Sequence, residues 1–507
     1  MVHEIELKLE LDAGSERRVR RHKWSGAFQG GRQMTRDLRT IYFDTADHQL
    51  AAAGLALRLR KAGRFWTQTV KIRNAFDLGL SSTTEHSCPA PGRRLALAGI
   101  SDPTIRSEIE NAIDGSVLTP LFETRITRTS RLVRLPGSVI EISVDIGEIA
   151  TDEGQEPLRE IELELVDGDP SQIFIVLKHL FPDGSLALST SSKADRGYAL
   201  ITGLPDPEGL IPRRARRLNL LATDSIAEAI RASLRETCGQ TVTNRHAAIG
   251  TMPPDVLKQL RIGLRRFRSA LALFKKYASG MRAAHLNEEA RWLASEIAKV
   301  RDLDVILNDI LVPERQVSPD PGFEIIERDL HQRLVAARNR LGPLLKSARV
   351  QAFLIDMMAF SLTADFGAGS RKKVIGHAGR LLGKRWSKVR SCAENLETLS
   401  IEQRHDLRKQ LKKMRYSIEF LRALYPDQDL KPFLKRLKRL QAIFGDLNDA
   451  AMVEEMFMAP DAPLADDFAA QRAVGRLIGS RMARAEVAWV DARTLWTDID
   501  ETAVFWR

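Results

Sequence analysis

The sequence predicts an α+β multidomain fold, with a β-rich N-terminal part and an all-α C-terminal part. Three observations predict it. Up to about residue 200, stretch after stretch alternates apolar and charged residues, the period of a strand with two unlike faces. Residues 203–212 (GLPDPEGLIP) then hold three prolines and two glycines, a boundary composition. Beyond them every periodic stretch has helical spacing. At 507 residues the chain exceeds one ordinary core. The expected division is 1–204, a linker at 205–214, and 215–507.

Charge separates the two parts. The net charge is +11, but residues 1–204 carry 26 Lys+Arg against 28 Asp+Glu, a net of −2. The rest carries 51 against 38, a net of +13. A basic body points to a polyanionic partner. No segment has the unbroken apolar length of a membrane span, and the charged first strand argues against a secretory signal. Cys88, Cys238 and Cys392 form neither a metal spacing nor an even disulfide set, so a cytoplasmic location is expected.

The first strand sets the pattern. Ile5, Leu7, Leu9 and Leu11 share one face; Glu4, Glu6, Lys8 and Glu10 share the other. A short basic helix follows around residues 17–24, and 38–45 (LRTIYFDT) reads as a strand. Next, Leu55, Leu57 and Leu59 alternate with Arg58 and Arg60, and a Gly63-Arg64 turn leads to a strand bearing Thr67, Thr69 and Lys71. Residues 92–117 read as helical. In 121–135, Glu123, Arg125, Thr127 and Thr129 are in phase. Residues 139–149 put Glu141, Ser143 and Asp145 opposite Ile140, Ile142 and Val144, and 158–166 put Glu160, Glu162 and Glu164 in one row. Another helix is expected at 171–180, and Lys193 and Arg196 follow in SKADRGY.

If these charged faces meet solvent, the sheet is half exposed. If the sheet closes, they line a polar lumen. Acidic and basic walls in one lumen need a guest that satisfies both. A polyphosphate with divalent cations does so: guanidinium and ammonium groups take phosphate oxygens, and carboxylates take hard Mg²⁺ or Mn²⁺.

Glu4-x-Glu6-x-Lys8 is an ExExK signature. With Tyr42-Phe43-Asp44-Thr45, Leu57-Arg58-Leu59-Arg60, Lys71, Arg125, Asp145-x-Gly147-Glu148, the Glu160–Leu165 row and Ser192–Tyr198, the region to about residue 204 resembles the CYTH domains, the triphosphate tunnel metalloenzymes. The resemblance implies an eight-stranded antiparallel β-barrel tunnel with flanking helices that hydrolyses triphosphates with a divalent metal. By position it implies metal binding or water orientation by Glu4, Glu6, Glu162 and Glu164, and phosphate binding by Lys8, Arg58, Arg60, Lys71, Arg125 and Lys193. Glu4, Glu6 and Lys8 are the catalytic candidates. Glu160 is in phase with the acidic pair. Asp145 and Glu148 fit a cap or ion-pair role as well as a ligand role, and Tyr42 fits the core.

The C-terminal part repeats itself. Residues 258–268 (KQLRIGLRRFR) align with 405–415 (HDLRKQLKKMR), and some forty residues later Val300-Arg301-Asp302-Leu303-Asp304 aligns with Phe444-Gly445-Asp446-Leu447-Asn448. Two pseudo-symmetric four-helix units are implied. Arg261, Arg265 and Arg268 in one copy, and Arg408, Lys412 and Arg415 in the other, each mark one helix face. A basic groove between the copies is the expectation. This region, about 215–507, resembles the CHAD domain, an all-helical module named for conserved histidines, which binds inorganic polyphosphate. His405 stands at a family histidine position, but its partner in the first copy is Lys258, which suits an electrostatic role rather than a metal site. Trp489, Trp496 and Trp506 are expected to pack the acidic tail on the helical body.

The expected protein is therefore an inorganic triphosphatase whose helical part binds polyphosphate. One alternative is a non-catalytic polyphosphate binder associated with storage granules. Another is a tunnel phosphatase acting on nucleoside or thiamine triphosphates. Nucleic acid is disfavoured as a partner, because the basic helices lack aromatic stacking platforms.

Overall fold

The structure, a computed structural model, describes residues 2–77, 80–182, 187–189, 192–203, 211–458, 462 and 464–506. Residues 205–210 of the expected linker lie outside them. The chain forms two compact units. The first is Met1–Pro212 with Val242–Ala248 and Lys346–Thr363; the second is Arg213–Thr241, Ile249–Leu345 and Ala364–Arg507. Two segments beyond the proline-rich stretch thus belong to the first unit, which the sequence division at 205–214 did not foresee.

The first unit is a barrel. Its strands are β1 (Val2–Glu10), β2 (Gln29–Gly30), β3 (Met34–Asp44), β4 (Leu55–Ala62), β5 (Phe65–Asp77), β6 (Leu80–Pro89), β7 (Thr119–Leu135), β8 (Ser138–Ala150), β9 (Gln155–Asp167) and β10 (Ala187–Ser189). Eight of them close a circuit in the order β1-β6-β5-β4-β3-β7-β8-β9, and β9 pairs back onto β1. Every pairing around the ring is antiparallel. The β4–β5 turn is tight, and Gly63 supplies its φ of +60°.

Closure turns the strand pattern inside out relative to an ordinary barrel. The apolar rows face outward and are covered by helices α1 (Ala13–Arg21), α2 (Gln49–Ala52), α3 (Pro103–Ile113) and α4 (Gln172–Leu180). Leu55, Leu57 and Val70 pack with Ile105 and Ile109 of α3, and Ile173, Phe174 and Leu177 of α4 are fully buried. The charged rows are left for the lumen. Of residues 92–117, expected to be helical, α3 and a short 3₁₀ turn at Leu97–Gly99 are so.

One end of the lumen is apolar. Tyr42, Phe122, Ile126, Ile149 and Leu158 cluster with Ala194 of helix α5 (Lys193–Thr202). Tyr42 stacks on Phe122 at 4.6 Å between centroids. Ser192 and Asp195 form a reciprocal capping box that fixes the start of α5. The Tyr198 hydroxyl donates to Asp44 Oδ2 at 2.7 Å. Asp44 is fully buried and also accepts from the backbone N–H groups of Thr45, Leu50 and Ala51.

The second unit and the segments just named are helical: α6 (Ile226–Ala247), α7 (Pro254–Leu273), α8 (Met281–Asp304), α9 (Val312–Val317), α10 (Pro321–Lys346), α11 (Ala348–Thr363), α12 (Ile375–Cys392), α13 (Ile401–Leu421), α14 (Asp427–Phe457) and α15 (Phe468–Glu501). The sequence repeat maps onto α7–α8 and α13–α14, and α7 packs directly on α13. Trp489 and Trp506 are buried, and Trp496 lies 5.6 Å from Trp386 between centroids.

The α5 helix sits on the barrel end without slack. A Cβ built at Gly197 would stand 2.3 Å from the Phe122 ring. Gly197→Ala should destabilise the barrel by about 1–3 kcal/mol through overpacking, read as a lower denaturant midpoint with unchanged slope.

Candidate functional site

Directly opposed residues in an antiparallel pair share a face, so the register alone assigns the lumen. Glu6 faces Glu164, Lys8 faces Glu162 and Glu10 faces Glu160. Lys71 faces Glu85, Arg58 faces Thr69 and Tyr42, and Arg60 faces Thr67 and Thr40. Arg128 faces Asp145, Ser143 faces Glu162, and Glu141 faces Glu164. Every strand of the closed ring contributes a polar residue.

The lumen charges fall into three groups. In the first, Lys193 enters from the start of α5 and is almost fully buried. Its ammonium donates to Glu160, to Glu162 Oε1 at 2.9 Å, and lies 2.8 Å from Asp145 Oδ2. Arg128 donates from Nε and Nη2 to the two oxygens of Asp145, each at 2.7 Å, and also to Glu162. Lys8 lies 3.0 Å from Glu6 and 3.5 Å from Glu162. Burial alone would raise Glu162, but Lys193, Arg128 and Lys8 outweigh it and hold the carboxyl well below its usual range. Asp145 is likewise held down, against burial, by Lys193 and Arg128.

The second group is cationic. Arg58 is buried and donates to Glu85 at 3.4 Å. Arg60 donates to Thr40 Oγ1 at 3.2 Å. Burial, with Arg58 and Arg128 close by, pushes the Arg60 guanidinium down to about 10. Burial would raise the Tyr42 phenol, but Arg58, Arg60 and Lys193 bring it below its ordinary value. Lys71 donates to Glu4 at 2.6 Å and sits 3.0 Å from Glu85. Of these two carboxylates Glu85 keeps the charge, down at about 2, because Arg58 also acts on it against burial. Burial moves Glu4 upward.

The third group is acidic. Burial raises Glu164 to about 7, and Glu4, Glu6 and Glu141 add to the rise, with Lys71 the cation named against it. Carboxylates gathered in one lumen are a donor set that a hard divalent ion fits. Glu4, Glu6 and Glu164 could hold such an ion if Glu4 and Glu6 gave up their pairing with Lys71 and Lys8. Asp145, Glu160 and Glu162 form the compact oxygen cluster among the described residues, their ligand atoms within 4.8 Å of one another. The Lys193 ammonium already occupies it, so an ion there would have to displace a buried cation.

The structure brings together Glu4, Glu6, Lys8, Arg58, Arg60, Lys71, Lys193, Glu162 and Glu164. Glu162 lies in the ion-paired group with Asp145 and Glu160. One expectation needs correction. Arg125 lies on the outer barrel face, where it is 55 % exposed in its side chain and pairs with Glu123 and Glu148. Strand β7 carries arginines in both phases, and the inward phase runs Phe122, Thr124, Ile126, Arg128. The Glu123–Thr129 row looked like the lumen face because it is the more polar one. Arg128, Glu85 and Glu141 were missed as site residues. Period-two alternation through Thr83, Glu85 and Ser87 could have signalled Glu85. Arg196 pairs with Glu156, outside the site.

In the second unit the two repeat helices turn their basic faces to each other. Lys412 of α13 is pushed down to about 7 by burial and by Arg265, Arg408, Arg261 and Arg415. Arg261 is partly neutralised by Asp302 at 3.0 Å and Arg415 by Glu419 at 3.5 Å. Lys258 and His405 are exposed, at the start of each helix. Lys258 lies 3.9 Å from Asp255, and burial and nearby cations lower the His405 imidazole. The side chains of Asp446, Leu447 and Asn448 lie outside the described residues.

A closed β-tunnel with opposed acidic and basic walls, followed by a helical repeat with facing basic helices, defines the class. The chain carries a CYTH domain, matched over residues 2–198, followed by a CHAD domain, matched over residues 232–457. It is 30% identical over 201 residues to the "Inorganic triphosphatase" of Haemophilus influenzae; that match covers 39% of this chain and 55%, about half, of the relative. Among solved structures, the CHAD domain from the plant Ricinus communis is similar to 58% of this chain, over 98% of its own length, at 24% identity and a TM-score of 0.46. PptA from Streptomyces chartreusis is similar to 54% of this chain, over all of its own length, at 17% identity and a TM-score of 0.43.

Removing one partner from a buried ion network leaves uncompensated charge. Lys193→Met should cost about 3–5 kcal/mol at neutral pH. In the wild type, the depressed Asp145 and Glu162 contribute stability above their unfolded values near pH 4, lost as pH falls through the lower folded values. In the variant those carboxyls rise instead, so its deficit should shrink on acidification, as seen by denaturant unfolding between pH 7 and pH 5.

Proposed function

We propose that the tunnel hydrolyses inorganic triphosphate with Mg²⁺ or Mn²⁺, and that the helical repeat binds inorganic polyphosphate, in the cytoplasm. The observation that carries this reading is that the carboxylates Glu4, Glu6 and Glu164 share one closed lumen with the Arg58–Arg60 wall. A pure polyanion binder gains nothing from Glu4 and Glu6. The similarity of the barrel to an inorganic triphosphatase supports the same reading.

Hydrolysis of a phosphoanhydride asks the protein mainly for positioning and charge neutralisation. Arg60 is the cation most in need of an anion: buried, beside Arg58 and Arg128, with a threonine hydroxyl as its hydrogen-bond partner. Arg58 and Arg60 therefore take non-bridging phosphate oxygens, with Lys71 at the side of Glu4. Lys193 and Arg128 are already balanced by three carboxylates, so they position the lumen walls and contribute less grip. A bound divalent ion would neutralise phosphate charge and acidify a coordinated water. Glu4, Glu6 and Glu164 would hold it beside the Arg58–Arg60 wall. At the apolar end the Tyr42 and Phe122 rings are buried against each other and against α5, so their faces are already covered, which favours a bare triphosphate over nucleoside or thiamine triphosphates.

Phosphate release from inorganic triphosphate with either metal tests the reading. Glu4→Ala and Glu6→Ala should each lower kcat on the order of 10²-fold or more. Arg60→Ala should raise KM at least about tenfold. No release with either metal would leave the polyphosphate-binding reading standing alone. Because protons compete for Glu164 near pH 7, apparent metal affinity should rise from about pH 6 to pH 8.

A further inference from the structure

The basic surface of the helical unit does not end at the two repeat helices. Helix α13 packs on α7 by one side and on α12 by another. Lys412 and Lys413 are adjacent, about 100° apart around α13, and they enter two different cationic neighbourhoods. Lys412 faces Arg261 and Arg265 of α7, with Arg408 and Arg415 of its own helix. Lys413 faces Arg385 and Lys388 of α12 and Arg268 of α7, with Lys409 of its own helix. Burial and these cations lower Lys413 from its ordinary value. Arg385 is half-buried, and burial likewise lowers its guanidinium.

The acids around this second neighbourhood are few. Asp406 pairs with Lys409 at 3.1 Å, and Glu288, which acts on Arg268, lies 3.2 Å from Arg291. The repeat does not predict the cluster. Arg385 and Lys388 sit on α12, outside the aligned segments, and the helix before the first copy, α6, carries Glu228 and Glu236. Assembling like charges in the folded state costs free energy unless an anion bridges them. The two neighbourhoods touch through Arg268, which lies near Arg265. Along α7, Arg261 to Arg268 spans seven residues, about 10 Å at 1.5 Å per residue.

We propose that Arg385 and Lys388 of α12, with Lys409, Lys413 and Arg268, form a second phosphate subsite that one linear polyphosphate chain reaches only after filling the groove between α7 and α13. The inference rests on the polyphosphate reading above. It makes the helical unit a chain-length reader. A short oligophosphate is satisfied by the Lys412 neighbourhood; a long one gains the α12 contacts intramolecularly, at high effective concentration.

The test uses the full chain carrying Arg58→Ala and Arg60→Ala, so that the tunnel's grip is removed, in chelator. Binding of inorganic tripolyphosphate and of long-chain polyphosphate is measured by titration calorimetry. Arg385→Gln with Lys388→Gln should weaken the long chain at least about tenfold, as expected for two lost charge-assisted contacts, and leave tripolyphosphate within about twofold. Arg265→Gln with Lys412→Gln should weaken both. Charge reversal, Arg385→Glu alone, checks the result in a second background at this partly exposed position. Equal losses for both ligands, or none for the long chain, would overturn the second subsite alone. A parent chain that binds neither ligand would overturn the polyphosphate reading and the subsite with it. Duplex DNA that matches long polyphosphate in affinity and in its loss would make α12 a general polyanion surface and overturn the chain-length role.

Discussion

Charge balance inside a closed barrel is the constraint on which the rest depends. Closure leaves the inward row of each strand no access to bulk water except along the axis, so each buried charge must find a partner within the ring. Lys193, Arg128 and Lys8 against Asp145, Glu160 and Glu162 meet that demand internally. Arg60 on one side and Glu164 on the other have no ion pair among the described residues, and Glu164 lies beside Glu4, Glu6 and Glu141. The imbalance is local and opposite in sign on the two walls. On the proposed reading, it suits a guest made of phosphate and metal together.

The balanced group has a structural task that the unbalanced groups cannot share. Lys193 lies at the first turn of α5, and α5 closes the apolar end through Ala194, Gly197 and Tyr198. The ion network therefore ties the helix to the lumen wall at the depth where the polar lining gives way to Tyr42 and Phe122. Asp44 ties the same helix at a second point, through Tyr198 and the start of α2. A helix held at two points keeps its N-terminal lysine where the carboxylates need it.

Much of this was legible in the sequence, for a physical reason. Period-two alternation is unusually clean where one face must be wholly apolar and the other wholly polar, as in Glu4 to Leu11 and Glu160 to Leu165. The assignment failed where a strand carries polar residues in both phases. On β7 the outer face holds Glu123, Arg125 and Thr127, while the inner face begins with Phe122 and Ile126, which belong to the apolar plug. Alternation gives two faces but not which one is inside. Only the register with β3 and β8 decides it, and that is long-range information. The charge state of Glu162 was hidden for the same reason: its partners come from three other elements, β1, β7 and α5. The repeat in the helical part was legible because it is written twice. The α12 cations were not, because they occur in one copy and only folding brings them to Lys413.

The two units meet the same chemical problem in opposite ways. In the barrel, carboxylates and cations share one closed ring, so the proposed triphosphate would enter where the balance is broken, with a metal to satisfy the acids. On α7, α12 and α13, cations accumulate with few acids among them, the surface that the proposed binding of an extended phosphate chain requires. A deep lumen with one apolar end limits how much of a chain can enter; an open helical face sets no such limit. On the proposed reading, selectivity for a short, metal-loaded anion and retention of a long one would both come from curvature and counter-charge, using the same arginine, lysine and glutamate side chains.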